Sequence, residues 1–208
     1  MNHTSPPHVF FLAPLSHDVG LTSMALGLLQ ALQRDRIRVV FAEPITRPKD
    51  YTGKSHLSTH FARTLLRLYH SQSLKNVSGP VTSTPFSKTR FHQAGAGVDV
   101  VVVEGLIPVA DQPIAAQLNT AMARSLSVAL ILVFSGPYLE THGFTHFLDL
   151  ALHQYAEGGD HTPMLAGVLM NKLGTAEDEM FRKQWQSESK PPWASSLAVC
   201  RKCLGGFI

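Results

Sequence analysis

Three short stretches of this sequence hold residue types that could handle a phosphorylated ligand. The first is Pro14-Leu15-Ser16-His17-Asp18-Val19-Gly20-Leu21-Thr22-Ser23. It joins an apolar run to a helical one, which is where a phosphate-binding loop belongs. Backbone N–H groups and a helix N-terminus at such a place favour an anion. A Walker A loop reads G-x-x-x-x-G-K-S/T. Here Leu15 stands at the first glycine, Gly20 at the second, Leu21 at the lysine and Thr22 at the hydroxyl. The lysine charge stabilises the β- and γ-phosphates, and a leucine has no charge to offer. The loop therefore argues against ATP hydrolysis and phosphoryl transfer. It fits a plain strand–turn–helix connection, and it also fits a weak nucleotide or anion site built on Gly20, Thr22 and Ser23. The second stretch is Glu104-Gly105, after a run of valines. An acid there can hold Mg²⁺ beside bound phosphates, or simply point into solvent at a strand end. The third is Asn171-Lys172. An Asn at this place in a phosphate-loop fold can read a nucleobase edge with its amide, and Asn is also a common turn residue.

Other combinations are weaker. Ser16, His17 and Asp18 are the residue types of a hydrolase triad, but a triad is assembled in space and adjacent residues do not face one another correctly. His56 and His60, like His142 and His146, stand four apart on expected helices, with Leu57 and Gly143 where a zinc protease places its glutamate. Cys200 and Cys203 supply two ligands where a closed zinc site needs about four, and read as incidental.

The elements that must position these residues follow from hydrophobic periodicity. Val9–Ala13 is a short, partly β-branched and aromatic run that reads as a strand buried on both faces. Leu21, Ala25, Leu28, Leu29 and Leu32 recur at helical spacing, so 20–33 reads as a helix. Ile37–Phe41 completes a strand–helix–strand unit, whose crossover is expected to be right-handed. Further on, a helix is expected over 56–69, a loop over 71–83 and a short helix over 85–94. Strands are expected at Val98–Val103, Val128–Phe134 and Met164–Met170, with helices at 112–125 and 140–155 between them. Five such strands alternating with helices predict an α/β fold with a doubly wound, mostly parallel sheet. Residues 8–174 then form one domain, and 175–208 an irregular tail, the expected product of truncation or a frameshift.

Composition agrees with that class and excludes others. The chain has 208 residues, 44% of them hydrophobic and only 16% charged, a balance suited to a buried sheet rather than disorder. The net charge is +3 and the basic residues form no dense block, so no nucleic-acid partner is expected. Residues 1–7 carry no Lys or Arg, unlike the basic start of a signal peptide, and the apolar runs are too short to span a bilayer. No membrane partner and a cytoplasmic location are expected.

Several motifs, in order, resemble one family. Phe11-Leu12-Ala13-Pro14, then Val19-Gly20-Leu21-Thr22-Ser23 and Leu26-Gly27, resemble the opening of long bacterial phosphate acetyltransferases. Leu at the lysine position is itself a mark of that opening, and separates it from dethiobiotin synthetase relatives that keep G-K-T. Val102-Val103-Glu104-Gly105-Leu106-Ile107-Pro108, Gln117-Leu118-Asn119 and Gly167-Val168-Leu169-Met170-Asn171-Lys172-Leu173 resemble three later motifs of the family. The resemblance covers roughly 8–174 and departs at Leu15, where the family has Thr, and at Glu43-Pro44, where it has Lys-Pro. It implies a P-loop-NTPase-like, dethiobiotin-synthetase-like domain at the N-terminus of an enzyme of acetate metabolism. Such an enzyme interconverts acetyl-CoA plus phosphate with acetyl phosphate plus CoA, through catalytic residues in a separate C-terminal domain. The implied roles are regulation and homo-oligomer assembly alongside that acetyltransferase domain, with no cofactor required and with weak nucleotide or NADH effector binding. The competing expectations are an ATP-dependent ligase of the dethiobiotin synthetase type and an interaction module unrelated to acetate. Leu21 and Glu43 count against the ligase.

Overall fold

The computed structural model describes residues 6–43, 97–108, 114–126, 128–136, 144–156 and 163–172. The expected helices at 56–69 and 85–94, the tail at 175–208, Cys200, Cys203, His56, His60 and His142 lie outside what is described.

Five strands form one sheet: β1 (His8–Pro14), β2 (Val39–Ala42), β3 (Val100–Glu104), β4 (Ala129–Ser135) and β5 (Met164–Asn171). Among the described residues, three helices accompany them: α1 (Leu21–Arg34), α2 (Ile114–Leu126) and α3 (Phe144–Ala156). All pairings are parallel, in the order β2-β3-β1-β4-β5. The strand–helix–strand unit β1–α1–β2 is therefore wider than its sequence suggests, because β3 lies between β1 and β2. Parallel neighbours need a crossover, and this one skips a place in the sheet.

The central strands are apolar throughout because both faces of the sheet are covered. One face meets α1: Leu21, Met24, Ala25 and Leu29 pack on Leu12, Val102 and Val133. The other meets α2 and α3: Met122, Ala123, Leu148 and Ala151 pack on Phe11, Val103, Leu132 and Phe134. Successive residues of β3 alternate between these two clusters, Val100 and Val102 on one face and Val101 and Val103 on the other, as a period of two requires.

The second strand starts at Val39 rather than Ile37, and the reason is local. Arg36 turns out of α1 at φ 59, and Ile37 N–H donates back to Leu32 O at 3.0 Å, closing the helix. Arg38 is then taken by Asp99, which accepts from its backbone N–H at 3.0 Å and from Nη2 at 2.6 Å. The ion pair is exposed and holds the starts of β2 and β3 side by side. It also holds the Asp99 carboxyl down at about 2.

Candidate functional site

The carboxyl ends of the strands carry all three stretches singled out above, as expected for ligand sites in open α/β sheets. The loop from β1 to α1 leaves over the end of β4, where Leu15 N–H donates to Val133 O at 3.1 Å. It enters the helix at Gly20, which sits at φ 68 in the left-handed region that only glycine takes freely. No side chain caps α1, and its first turn carries no acid. Its first N–H groups thus keep the electrostatic character that favours an anion. Ser16, 3% exposed, buries its hydroxyl in this loop without a hydrogen-bond partner among the described residues.

Leu21 brings no charge to the lysine position of a Walker loop. Its side chain is 1% exposed and belongs to the core beneath α1. Burying a leucine contributes roughly 2 kcal/mol, so the residue at the lysine position serves packing.

Thr22 and Glu104 meet. The Thr22 hydroxyl donates to Glu104 Oε1 at 2.9 Å, joining the first turn of α1 to the end of β3. Glu104 is the last residue of β3 and is 6% exposed, so it does not point into solvent. A hydroxyl and a carboxylate so close are the oxygen donors that a Mg²⁺ ion carried in by phosphates would use, since Mg²⁺ binds through few protein oxygens. Among the described residues no three His, Cys, Asp or Glu side chains cluster as a metal site of their own.

The chain after Glu104 is held by a residue whose part in the site the sequence did not reveal. Asn119, 1% exposed on α2, accepts from Leu106 N–H at 2.7 Å and donates to Leu106 O at 2.8 Å. Its carboxamide acts as a strand partner for a segment that has left the sheet. Gly105 N–H donates to Leu12 O at 3.0 Å, and a side chain at Gly105 would meet Leu12 O, Asn119 Oδ1 and Phe11. The glycine is there for close approach.

From the far side, β5 reaches the same loop. Asn171 Nδ2 donates to Val19 O at 3.0 Å, and Asn171 Oδ1 accepts from Lys172 N–H at 2.9 Å. Lys172 Nζ lies 2.7 Å from Asp18 Oδ1. The hydrogen bond and charge of Lys172, helped by His17, lower the Asp18 carboxyl below its usual range, against a small opposing effect of burial. Gly20, Thr22, Glu104 and Asn171 thus converge on one loop. Ser23 is on the first turn of α1 and half-buried. In this conformation the Asn171 amide is engaged with the loop rather than turned to a ligand.

A family model described as an AAA domain matches residues 8–190. The chain is 30% identical over 200 residues to the phosphate acetyltransferase of Nitrosomonas europaea, covering 92% of this chain and 28% of that protein. It is 34% identical over 182 residues to that of Pseudomonas aeruginosa, covering 80% and 24%. It thus spans about a quarter of the length of these curated relatives. Among solved structures, the signal recognition particle receptor FtsY from Elizabethkingia anophelis in complex with GDP aligns with a TM-score of 0.54 and 12% identity, over 82% of this chain and 50% of that one. The cell division protein FtsY of Thermotoga maritima aligns at 0.53 and 12%, over 80% and 53%. At that identity the likeness is one of fold, a P-loop-like α/β sheet. Among the described residues no helix is long and apolar enough to cross a membrane. Family match and curated relatives agree: the chain belongs to the AAA domain family, in the form that phosphate acetyltransferases carry as one part of a longer protein.

Proposed function

We propose that this chain is the regulatory and assembly part of a phosphate acetyltransferase, and that the residues performing acetyl transfer lie outside it. The enzyme converts acetyl-CoA and phosphate to acetyl phosphate and CoA. The observation that carries this reading is Leu21, buried at 1% exposure in the core where a phosphoryl-transfer loop needs an ammonium in the site. Similarity over most of this chain but only 28% of a phosphate acetyltransferase supports the same division of labour. The partners are its own acetyltransferase domain and further copies of itself, in the cytoplasm, without nucleic acid or membrane. No cofactor is required, and a nucleotide or NADH is a weak effector. Calorimetric titration with ATP and Mg²⁺, and separately with NADH, tests this together with two turnover assays. The expected results are no ATP hydrolysis and no acetyl phosphate formed from acetyl-CoA and phosphate by the chain alone. Turnover in either assay overturns the reading.

A second reading, an ATP-dependent ligase of the dethiobiotin synthetase type, is favoured by one observation: the Thr22–Glu104 contact at 2.9 Å. Tight Mg²⁺-dependent ATP binding that weakens in Glu104→Ala, with turnover, would select it.

A further inference from the structure

Among the described residues, three other than glycine have positive φ: Asp18 at 59, Arg36 at 59 and Lys172 at 57. Arg36 is explained by the exit from α1. The other two are the two ends of one ion pair, with Lys172 Nζ 2.7 Å from Asp18 Oδ1. Left-handed backbone is costly for lysine, less so for aspartate, and persists where the surroundings hold it. Here the holding is visible: Asn171 grips Val19 O on one side and Lys172 N–H on the other. Yet the pair itself is at the surface, its side chains 41% and 81% exposed for Lys172 and Asp18. Exposed pairs contribute little to stability, so stability does not account for the strain at both ends.

The pair makes sense as part of the loop's charge. Leu21 has removed the cation at the helix start, and Lys172 places one on the loop from the end of β5. Asp18 holds that ammonium. The same loop buries the Ser16 hydroxyl without a partner among the described residues. We propose that Lys172 is the cation of this loop, supplied from β5 in place of residue 21, and that Asp18 is its built-in counter-ion. The loop is then self-neutralised, and a polyphosphate chain binds only by replacing the Asp18 carboxylate on Lys172. A phosphate oxygen makes a charge-assisted contact of the same kind and brings more negative charge. This deepens the reading of the loop as a non-catalytic effector site, but it concerns binding alone, so it stands or falls separately from the turnover assays above.

The test is calorimetric titration of the whole chain with inorganic tripolyphosphate, and in parallel with ATP, at low salt. Asp18→Asn keeps the shape and releases the ammonium, and should tighten tripolyphosphate at least fivefold. Lys172→Ala should weaken it at least tenfold relative to Asp18→Asn, and Lys172→Arg should retain it. Binding by Asp18→Asn where the parent chain binds nothing also upholds the proposal. ATP binding more tightly than tripolyphosphate, with the same variant pattern, identifies a nucleotide as the source of the polyphosphate. Equal binding identifies free polyphosphate, and both uphold it. Unchanged or weaker binding in Asp18→Asn overturns it, as does unchanged binding when Lys172→Ala is introduced into a chain that binds. So does the absence of binding in both the parent chain and Asp18→Asn. Circular dichroism melts of each variant distinguish loss of binding from loss of fold.

Discussion

Replacing Asn119 tests whether the segment after β3 is held by hydrogen bonds or by packing. The carboxamide is 1% exposed and serves both backbone groups of Leu106, at 2.7 and 2.8 Å. Each such bond is worth about 1 kcal/mol net, and a buried partner left unpaired costs about 1–3 kcal/mol. Leu106 is half-buried, so water recovers part of that cost. Asn119→Ala should therefore lose roughly 2–4 kcal/mol, which for a domain of this size lowers the melting temperature by about 5–15 °C. The decisive comparison is Asn119→Leu, of similar volume but with no donor or acceptor. If hydrogen bonding is the cause, leucine costs as much as alanine. If packing is the cause, leucine restores most of the loss. Urea unfolding followed by circular dichroism gives both values. A loss below about 0.5 kcal/mol in alanine, or rescue by leucine, would refute the reasoning.

Three further outcomes are expected. Gly20→Ala puts a β-carbon on Asn171 Nδ2 at a residue with φ 68, and should cost about 1–2 kcal/mol for the backbone alone. Its second mark is faster amide exchange at Lys172, whose N–H bonds to the displaced carboxamide. Gly105→Ala meets backbone oxygen at 2.8 Å, which cannot step aside as a side-chain tip can, so about 1–3 kcal/mol should be lost in the same unfolding assay. For Asp99 the folded carboxyl is depressed to about 2 by Arg38. Its stabilising contribution is full above the unfolded value near 3.8 and lost as pH falls toward 2. Asp99→Asn should flatten that part of the pH dependence of the urea midpoint, and added salt should shrink the difference, because the pair is exposed.

Sequence patterning exposed the strands well because parallel strands covered on both faces are apolar at every position, as Val100–Val103 are. The missing ammonium of a phosphate loop was equally legible, since it rests on the identity of Leu21 alone. The alternation of strands and helices does not encode their order in the sheet, so the insertion of β3 between β1 and β2 could not be read. Nor could the contacts that shape the site. Asn171 and Val19 are 152 residues apart, and Thr22 and Glu104 are 82 apart. Asn119 offered one signal, a carboxamide among the buried positions of an otherwise apolar helix face. Such a group must find partners, and the backbone just past the nearest strand end was the available one.

The arrangement separates the shape of the loop from its chemistry. Four contacts set that shape: Leu15 N–H on Val133 O, Gly20 in its left-handed turn, Thr22 on Glu104, and Asn171 on Val19 O. None of them needs a lysine at position 21. A leucine there carries none of the charge that a phosphoryl-transfer loop uses, and its side chain packs in the core beneath α1. A loop kept in shape in this way still answers to what touches it. Asn171, the last residue of β5, and Lys172 just after it are its contacts from that strand.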